Sequence, residues 1–279
     1  MKKVTAHQIK TFKNYLEDEE KSHNTIEKYL RDILNFISWA EKREITKQLT
    51  VEYKNYLKGK FAPASVNSKL SSLNSFFEFC GEERLKIKLI KMQQQIFLRK
   101  EKELTRYEYE RLLIAAKRKD NKRLYYLMQT ICSTGIRVSE LSFITVESLK
   151  ERRAHINCKG KLRIVILPDK LCKMLKEYIR EKKIMSGPVF VTKNGKPLDR
   201  SNICNDMKKL CDSAGVPREK VFPHNLRHLF ARTYYSIQKD IVRLADILGH
   251  SNVNTTRIYT MESGEVHRTQ IQQLGLLIS

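Results

Sequence analysis

Four short stretches of the chain concentrate side chains able to hold a phosphodiester and move protons around it: STGIRVSEL at 133–141, NCKGK at 157–161, PHNLRHLF at 223–230 and ILGHSNVNTTRIYT at 247–260. Together they offer Arg137, Lys159, His224, Arg227, His250 and Tyr259. A tyrosine hydroxyl, with an ordinary pKa of about 10, is a weak nucleophile until its proton is removed or nearby positive charge stabilises the phenolate. Two guanidiniums and an imidazole can clamp a phosphoryl group through directed hydrogen bonds while it gains negative charge in a pentacoordinate transition state. Arg137, Arg227 and His250 suit that clamp. Lys159, at a hairpin tip, suits a general acid for the leaving 5′ hydroxyl, with His224 assisting proton transfer. No Asp/Glu cluster of the Mg²⁺-binding type lies near these stretches, so the expected chemistry uses no metal and no cofactor and stores the bond as a phosphotyrosine without ATP.

Taken singly, each residue has an ordinary explanation: a salt-bridged arginine, a solvated turn lysine, a capped histidine, a core tyrosine. Their joint occurrence is what points to a site. Tyr234 and Tyr235 follow Arg227 by seven and eight residues on an expected helix, where burial is the simpler account of both.

A polyanionic partner follows from charge. The 279 residues hold 54 Lys+Arg against 31 Asp+Glu, a formal charge of +23, and both the first hundred residues and the remainder are basic. Solubility alone does not require this excess. Lys69, Lys86, Lys88, Lys91, Arg99, Lys100, Arg163 and Arg200 are candidate phosphate contacts on double-stranded DNA. The sequence has no 18-residue apolar run and no signal-type leader, so no membrane partner is expected and the chain should be cytoplasmic. Its six cysteines form no C-x-x-C pair or zinc spacing and should be reduced and mostly buried.

The elements that must position these residues fall into two parts. Before residue 95 the periodicity is helical: 5–18, 24–41 behind Asn24 as N-cap, 50–58, and a helix behind Pro63 that buries Val66, Leu70, Leu73 and Phe77 and ends at Gly81. These four make a small bundle over 1–95. A linker spans 96–104, and Thr105 with Glu108 forms a capping box that opens a second domain, 105–279. There the pattern predicts helices at 105–117, 121–133 and 137–150, two strands meeting at a tight turn around Lys159 and Gly160, and a strand PVFVT. Further helices follow at 199–213, 223–238, 240–248 and 254–262, then a tail with apolar Ile271, Leu274, Leu276, Leu277 and Ile278. The fold class is mainly α with a small β-sheet.

These stretches resemble those of the tyrosine recombinases, the lambda-integrase family. That family carries T-G-[LI]-R-x-S-E-L, matched from Thr134 to Leu141, and a lysine in a G-K-G-like hairpin turn, matched by CKGK. It also carries H-x-L-R-H, matched from His224 to His228, and L-G-H-S-x-x-x-T-T-x-x-Y-T, matched residue by residue from Leu248 to Thr260. Asn225 stands where members often have Asp, and Cys158 precedes Lys159 where Gly is usual, which keeps Lys161 open as the alternative acid. The resemblance implies a helical core-binding (SAM-like) domain, an α+β catalytic domain, and site-specific strand exchange through a 3′-phosphotyrosine for integration, excision or resolution of DNA. In it Arg137, Arg227 and His250 bind the scissile phosphate, Lys159 is the acid, His224 assists and Tyr259 attacks. It also implies a homo-tetramer, or a hetero-tetramer, on two DNA sites, with the C-terminal tail docked on a neighbouring protomer. Two other functions fit the same residues: relaxation of DNA of the type IB topoisomerase kind, and a non-cleaving DNA-binding homologue.

Overall fold

The computed structural model describes residues 4–41, 43–92, 102–158, 161–192, 194–260, 268–269 and 272–274. Two units divide the chain, Met1–Gln94 and Gln95–Ser279, and the described residues are mainly helical with one two-stranded sheet.

The first unit is built from α1 (Ala6–Asp18), α2 (His23–Ala40), α3 (Lys47–Lys60) and α4 (Pro63–Phe79). Thr5 and Gln8 form a capping box at the start of α1. α2 opens behind Ser22 rather than Asn24, because Ser22 keeps extended backbone and its hydroxyl pairs with that of Thr25 at 2.8 Å. α3 is longer than the expected 50–58, since Thr46 accepts the Leu49 amide and the apolar row Leu49, Tyr53, Leu57 carries the helix onward. Pro63 occupies the first turn of α4, where its missing N–H costs nothing, and Gly81 takes a φ of +69° just beyond the end. The four helices close over Phe12, Phe36, Phe76 and Phe77, each at most 1% exposed, with Phe12 and Phe76 packed edge to face at 5.2 Å. One charge sits inside: the Asp32 carboxylate bridges α2 and α4 through Lys28 (3.1 Å), Lys69 (3.3 Å) and the Ser72 hydroxyl (2.9 Å).

In the second unit α5 (Arg106–Arg118), opened by the Thr105–Glu108 capping box, and α6 (Lys122–Thr134) pack in one core with α8 (Asp169–Glu181) and α11 (Pro223–Gln238). β1 (Arg153–Cys158) and β2 (Lys161–Ile166) pair antiparallel, with Cys158 opposite Lys161. α12 (Ile241–Leu248), capped by Asp240, follows α11 directly.

The structure corrects several expectations. Residues 137–150 are not one helix: a 3-10 segment Val138–Phe143 ends at Ile144, whose backbone is extended, and Thr145 caps a new helix α7 (Val146–Glu151). The break frees the Ile144 carbonyl to accept the Val189 amide at 2.8 Å and the Val146 amide to reach the Gly187 carbonyl at 3.0 Å. PVFVT accordingly forms only isolated bridges, Thr145 with Pro188 and Val191 with Pro197, because neither proline has an N–H to extend a ladder. The expected 199–213 helix divides into α9 (Arg200–Lys208) and α10 (Cys211–Ala214). Up to Thr260 the expected 254–262 helix is two 3-10 turns, Val253–Thr255 and Arg257–Tyr259, closed by amide bonds to the third residue back, and 261–262 lie outside the described residues. α8 was not anticipated, although Leu171, Leu175, Tyr178 and Ile179 recur at helical steps and all lie buried. Cys172 and Cys211 are buried, while Cys80, Cys132 and Cys204 are half-buried. No helix among the described residues is long and apolar enough to cross a membrane.

Gly135 ends α6 with a φ of +65°, and a Cβ there would fall 2.5 Å from the Phe230 ring and 3.0 Å from Leu248. Left-handed backbone costs an L-residue about 1–2 kcal/mol, and the overlap adds to it. Gly135→Ala should lower the stability of the second unit by about 2 kcal/mol or more, read as an earlier urea midpoint of the full-length protein at unchanged slope.

Candidate active site

Helices leave their last carbonyls without intrahelical partners, at the negative end of the dipole. At the end of α12 the turn at Gly249 (φ +64°) occupies two of them: the His250 amide reaches the Ala245 carbonyl at 2.9 Å and the Gly249 amide the Asp246 carbonyl at 3.0 Å. The next three carbonyls each hold a guanidinium. Arg163 Nη1 donates to Ile247 O at 2.5 Å, Arg227 Nη2 to Leu248 O at 2.7 Å and Arg137 Nη2 to Gly249 O at 3.1 Å. These arginines come from β2, from α11 and from the residue capping the 138–143 segment, so one helix end gathers three distant parts of the chain.

Glu140 ties two of them together. Its carboxylate, 3% exposed, accepts the Arg137 amide (2.9 Å), Arg137 Nη1 (2.9 Å) and Arg163 Nη2 (2.6 Å). Burial on its own would raise the Glu140 pKa; the Arg137 amide and the Arg163 and Arg137 guanidiniums outweigh it and hold the group below its ordinary value. Arg163 is therefore not the free phosphate contact that its position on an exposed hairpin suggests. Arg227, 1% exposed, also donates to the Gly135 carbonyl, so two of the left-handed glycines, Gly135 and Gly249, present carbonyls to site arginines. Burial, then the charge of Arg137, bring the Arg227 pKa down to about 10, which leaves it a cation at neutral pH.

His250 lies between Arg227 and the segment that carries Tyr259. Its Nε2 stands 3.0 Å from Arg227 Nη2 and its Nδ1 2.8 Å from the Thr256 hydroxyl. A guanidinium only donates, so Nε2 accepts and the ring proton resides on Nδ1. Burial and the charges of Arg227, Arg137 and Arg163 push the His250 pKa down to about 4, so the ring is neutral. Tyr259 is 5% exposed, set against Ala231, Leu244 and Leu248, with its ring 6.4 Å from that of His250 and edge to face with His228 at 5.2 Å. Burial raises its pKa, while Arg227, by charge and hydrogen bond, and Arg137 oppose that rise. Tyr234 and Tyr235 are half-buried against the same cluster.

The structure brings Arg137, Arg227, His250 and Tyr259 together. His224 is exposed on the first turn of α11, three residues before Arg227, with its ring 4.4 Å from His228; burial of part of the ring and the charges of Arg227, Arg200 and Arg137 lower its pKa. Lys159 and Gly160 lie outside the described residues, as do Arg99, Lys100, Ile271, Leu276, Leu277 and Ile278. An open groove of about 670 Å³ lies beside the hairpin, lined by Arg137, Glu140, Ile156, Leu162, Arg163 and His250 among others. Among the described residues no group of three or more His, Cys, Asp or Glu is placed to hold a metal ion. Sequence reasoning assigned no part to Glu140 or Thr256, although both stand inside the quoted stretches; three- and six-residue spacings to Arg137 and His250 were the available signal. Asn225 is also explained: its amide donates to the carbonyls of Lys102 (2.9 Å) and Lys220 (2.8 Å), which a carboxylate cannot do.

Glu140→Gln should cost about 3 kcal/mol, because a buried guanidinium loses its counter-charge. Since folding lowers the Glu140 pKa, the advantage of the wild type over this variant is complete above the ordinary carboxylate range. It disappears as pH falls through the depressed folded value. Paired chemical-denaturation curves from pH 7 to pH 2 measure that closing gap.

Residues 102–265 match the phage integrase family, and residues 9–84 match the phage integrase N-terminal SAM-like domain. The tyrosine recombinase XerA of Thermococcus onnurineus (strain NA1) is 30% identical over 97% of this chain and 95% of its own length. The TnP I resolvase of Bacillus thuringiensis is 29% identical over 90% of this chain and 94% of its own. Among solved structures, that of a XerA recombinase is 28% identical with a TM-score of 0.53, covering 99% of this chain and 100% of that one. The fold is also that of a lambda integrase (75–356) dimer bound to a COC′ core site, at 17% identity and a TM-score of 0.72, over 91% of this chain and 94% of that one. With a family match spanning more than half its length, laid over the residues that converge at the end of α12, this chain belongs to the phage integrase family and is a tyrosine recombinase.

Proposed function

We propose that this recombinase cuts and rejoins DNA at specific sites with Tyr259 as nucleophile and Arg137, Arg227 and His250 as the cradle of the scissile phosphate. The single observation that carries the reading is the convergence of those four side chains at the end of α12. A phosphodiester entering the groove would accept charge-assisted bonds from the donors of Arg137 and Arg227 that are not committed to the helix-end carbonyls. Tyr259 Oη then attacks phosphorus as its proton passes to solvent, the bond from phosphorus to the 5′ oxygen breaks as the 3′-phosphotyrosine forms, and the 5′ oxygen departs with a proton from Lys159, or from Lys161 two residues on. His224, within the field of the same arginines, assists proton transfer. Reversal by a 5′ hydroxyl from a partner strand reseals the DNA without metal, cofactor or ATP.

The relatives named as tyrosine recombinases favour strand exchange over simple relaxation or binding without cleavage. The division into a core-binding part (1–95), a linker (96–104) and a catalytic part (105–279) assigns the helical bundle to clasping the duplex. Lys88, Lys91 and Arg200, all exposed, remain candidate phosphate contacts. Assembly is a tetramer on two sites, of one chain or of two related ones, joined through the apolar C-terminal tail, and the place of action is the cytoplasm. One solved lambda integrase is a tetramer bound to a Holliday junction, which supports the assembly by analogy.

Sequencing the DNA ends captured covalently by the purified protein defines the site, and a nicked duplex carrying it should trap an adduct stable to denaturation. Tyr259→Phe should abolish the adduct while duplex binding stays within about threefold; an adduct on the Phe variant makes another residue the nucleophile. Binding should also fall by about 10³-fold or more between 50 and 200 mM salt, measured by fluorescence anisotropy, because many phosphates are neutralised together.

A further inference from the structure

Thr256 is fully buried, and its hydroxyl sits 2.8 Å from His250 Nδ1. The Thr256 carbonyl also accepts the Tyr259 amide at 2.9 Å, so one residue touches both the imidazole and the backbone of the tyrosine. The two tasks asked of His250 conflict. In the free protein Nε2 accepts from Arg227, which puts the ring proton on Nδ1. A phosphate oxygen in the same place only accepts, so Nε2 must then carry a proton. Becoming an imidazolium would also answer this; burial and three guanidiniums oppose that charge in the free protein, and a bound phosphate anion offsets the guanidiniums but leaves the cost of burial.

A hydroxyl partner removes the conflict, because it both accepts and donates. A carbonyl or carboxylate at Nδ1 would accept only and hold the proton on Nδ1; an ammonium would donate only. We propose that Thr256 is a positioning residue that lets His250 exchange tautomers when phosphate binds, with the Thr256 hydroxyl accepting from Nδ1–H in the free protein and donating to bare Nδ1 in the occupied one. Protons balance in the step. One leaves Nδ1 for solvent, one arrives at Nε2 from solvent, the hydroxyl rotates, and Arg227 Nη2 turns its N–H from Nε2 to the phosphate. The ring stays neutral throughout, and the same contact keeps the tyrosine segment in register with the phosphate-binding imidazole. The inference rests on the reading of His250 as a phosphate ligand.

Two measurements test it, and the first needs no DNA site. Full-length protein labelled with ¹⁵N-histidine is titrated with inorganic phosphate, and long-range ¹H–¹⁵N spectra identify the protonated ring nitrogen while the Arg137 and Arg227 Nε signals report occupancy. The His250 proton should lie on Nδ1 without phosphate and on Nε2 with it, in the wild type and in Thr256→Ser. A proton that stays on Nδ1 in the occupied protein, or an imidazolium, overturns the proposal. The second is adduct formation on the nicked duplex. Thr256→Val, matched in shape, should slow it by roughly 10–100-fold, as loss of an orienting partner does, whereas Thr256→Ser should stay within about threefold of wild type. In a His250→Phe background Thr256→Val should cause no further loss. Full activity of Thr256→Val, failure of Thr256→Ser, or losses that multiply in the double variant each refute it. Absence of any wild-type adduct would instead refute the recombinase chemistry, leaving the phosphate titration to decide the role of Thr256.

Discussion

The site depends on one constraint: the carbonyls at the end of α12 must be satisfied, and guanidiniums satisfy them. Ile247, Leu248 and Gly249 offer three acceptors at one helix end, and Arg163, Arg227 and Arg137 answer from three separate elements. A guanidinium carries five donors, so each can anchor to a carbonyl and still aim others elsewhere. The bonds that fold this corner of the protein thus also orient the cations that the proposed chemistry requires, before any DNA arrives. Orientation in advance is what makes such groups effective on a developing negative charge.

The charge balance follows from the same arrangement. Of the three guanidiniums, two, Arg137 and Arg163, pair with the buried Glu140 carboxylate, which keeps like charges together without cancelling them. Burial together with the residual positive field holds His250 neutral, and the same field opposes the effect of burial on the Tyr259 hydroxyl. The imidazole therefore contributes direction rather than charge, and its direction is set by the Thr256 hydroxyl on one side and Arg227 on the other.

Much of the fold was legible in the sequence where one side of an element is buried and its ends carry their own caps. The Thr105–Glu108 box, Pro63 and Gly81 around α4, and Pro223–Gln238 all stand where local pattern put them. Reading failed where a segment serves a partner distant in sequence. Residues 137–150 break at Ile144 because its carbonyl accepts from Val189, and PVFVT gives up its ladder because Pro188 and Pro197 have no amide to donate. The segment before Tyr259 tightens into 3-10 turns rather than a helix. α8 shows the opposite case, a plain amphipathic pattern that was there to be read.

The identity of the candidate reactive groups was a property of the sequence alone. Arginine, histidine and tyrosine carry their chemistry wherever they stand, and the spacing of Leu248 through Thr260 named the family before any fold was known. Tertiary structure decided which of the many cations join them. Arg163, a hairpin residue that looked available to DNA, is bound instead to Glu140 and to α12, while the Glu140 carboxylate and the Thr256 hydroxyl acquire roles. The physical reason is that a hydrogen bond forms over about 3 Å, and 112 residues separate Arg137 from the Gly249 carbonyl it reaches. Only the packing of α6, α11 and α12 brings that distance within range.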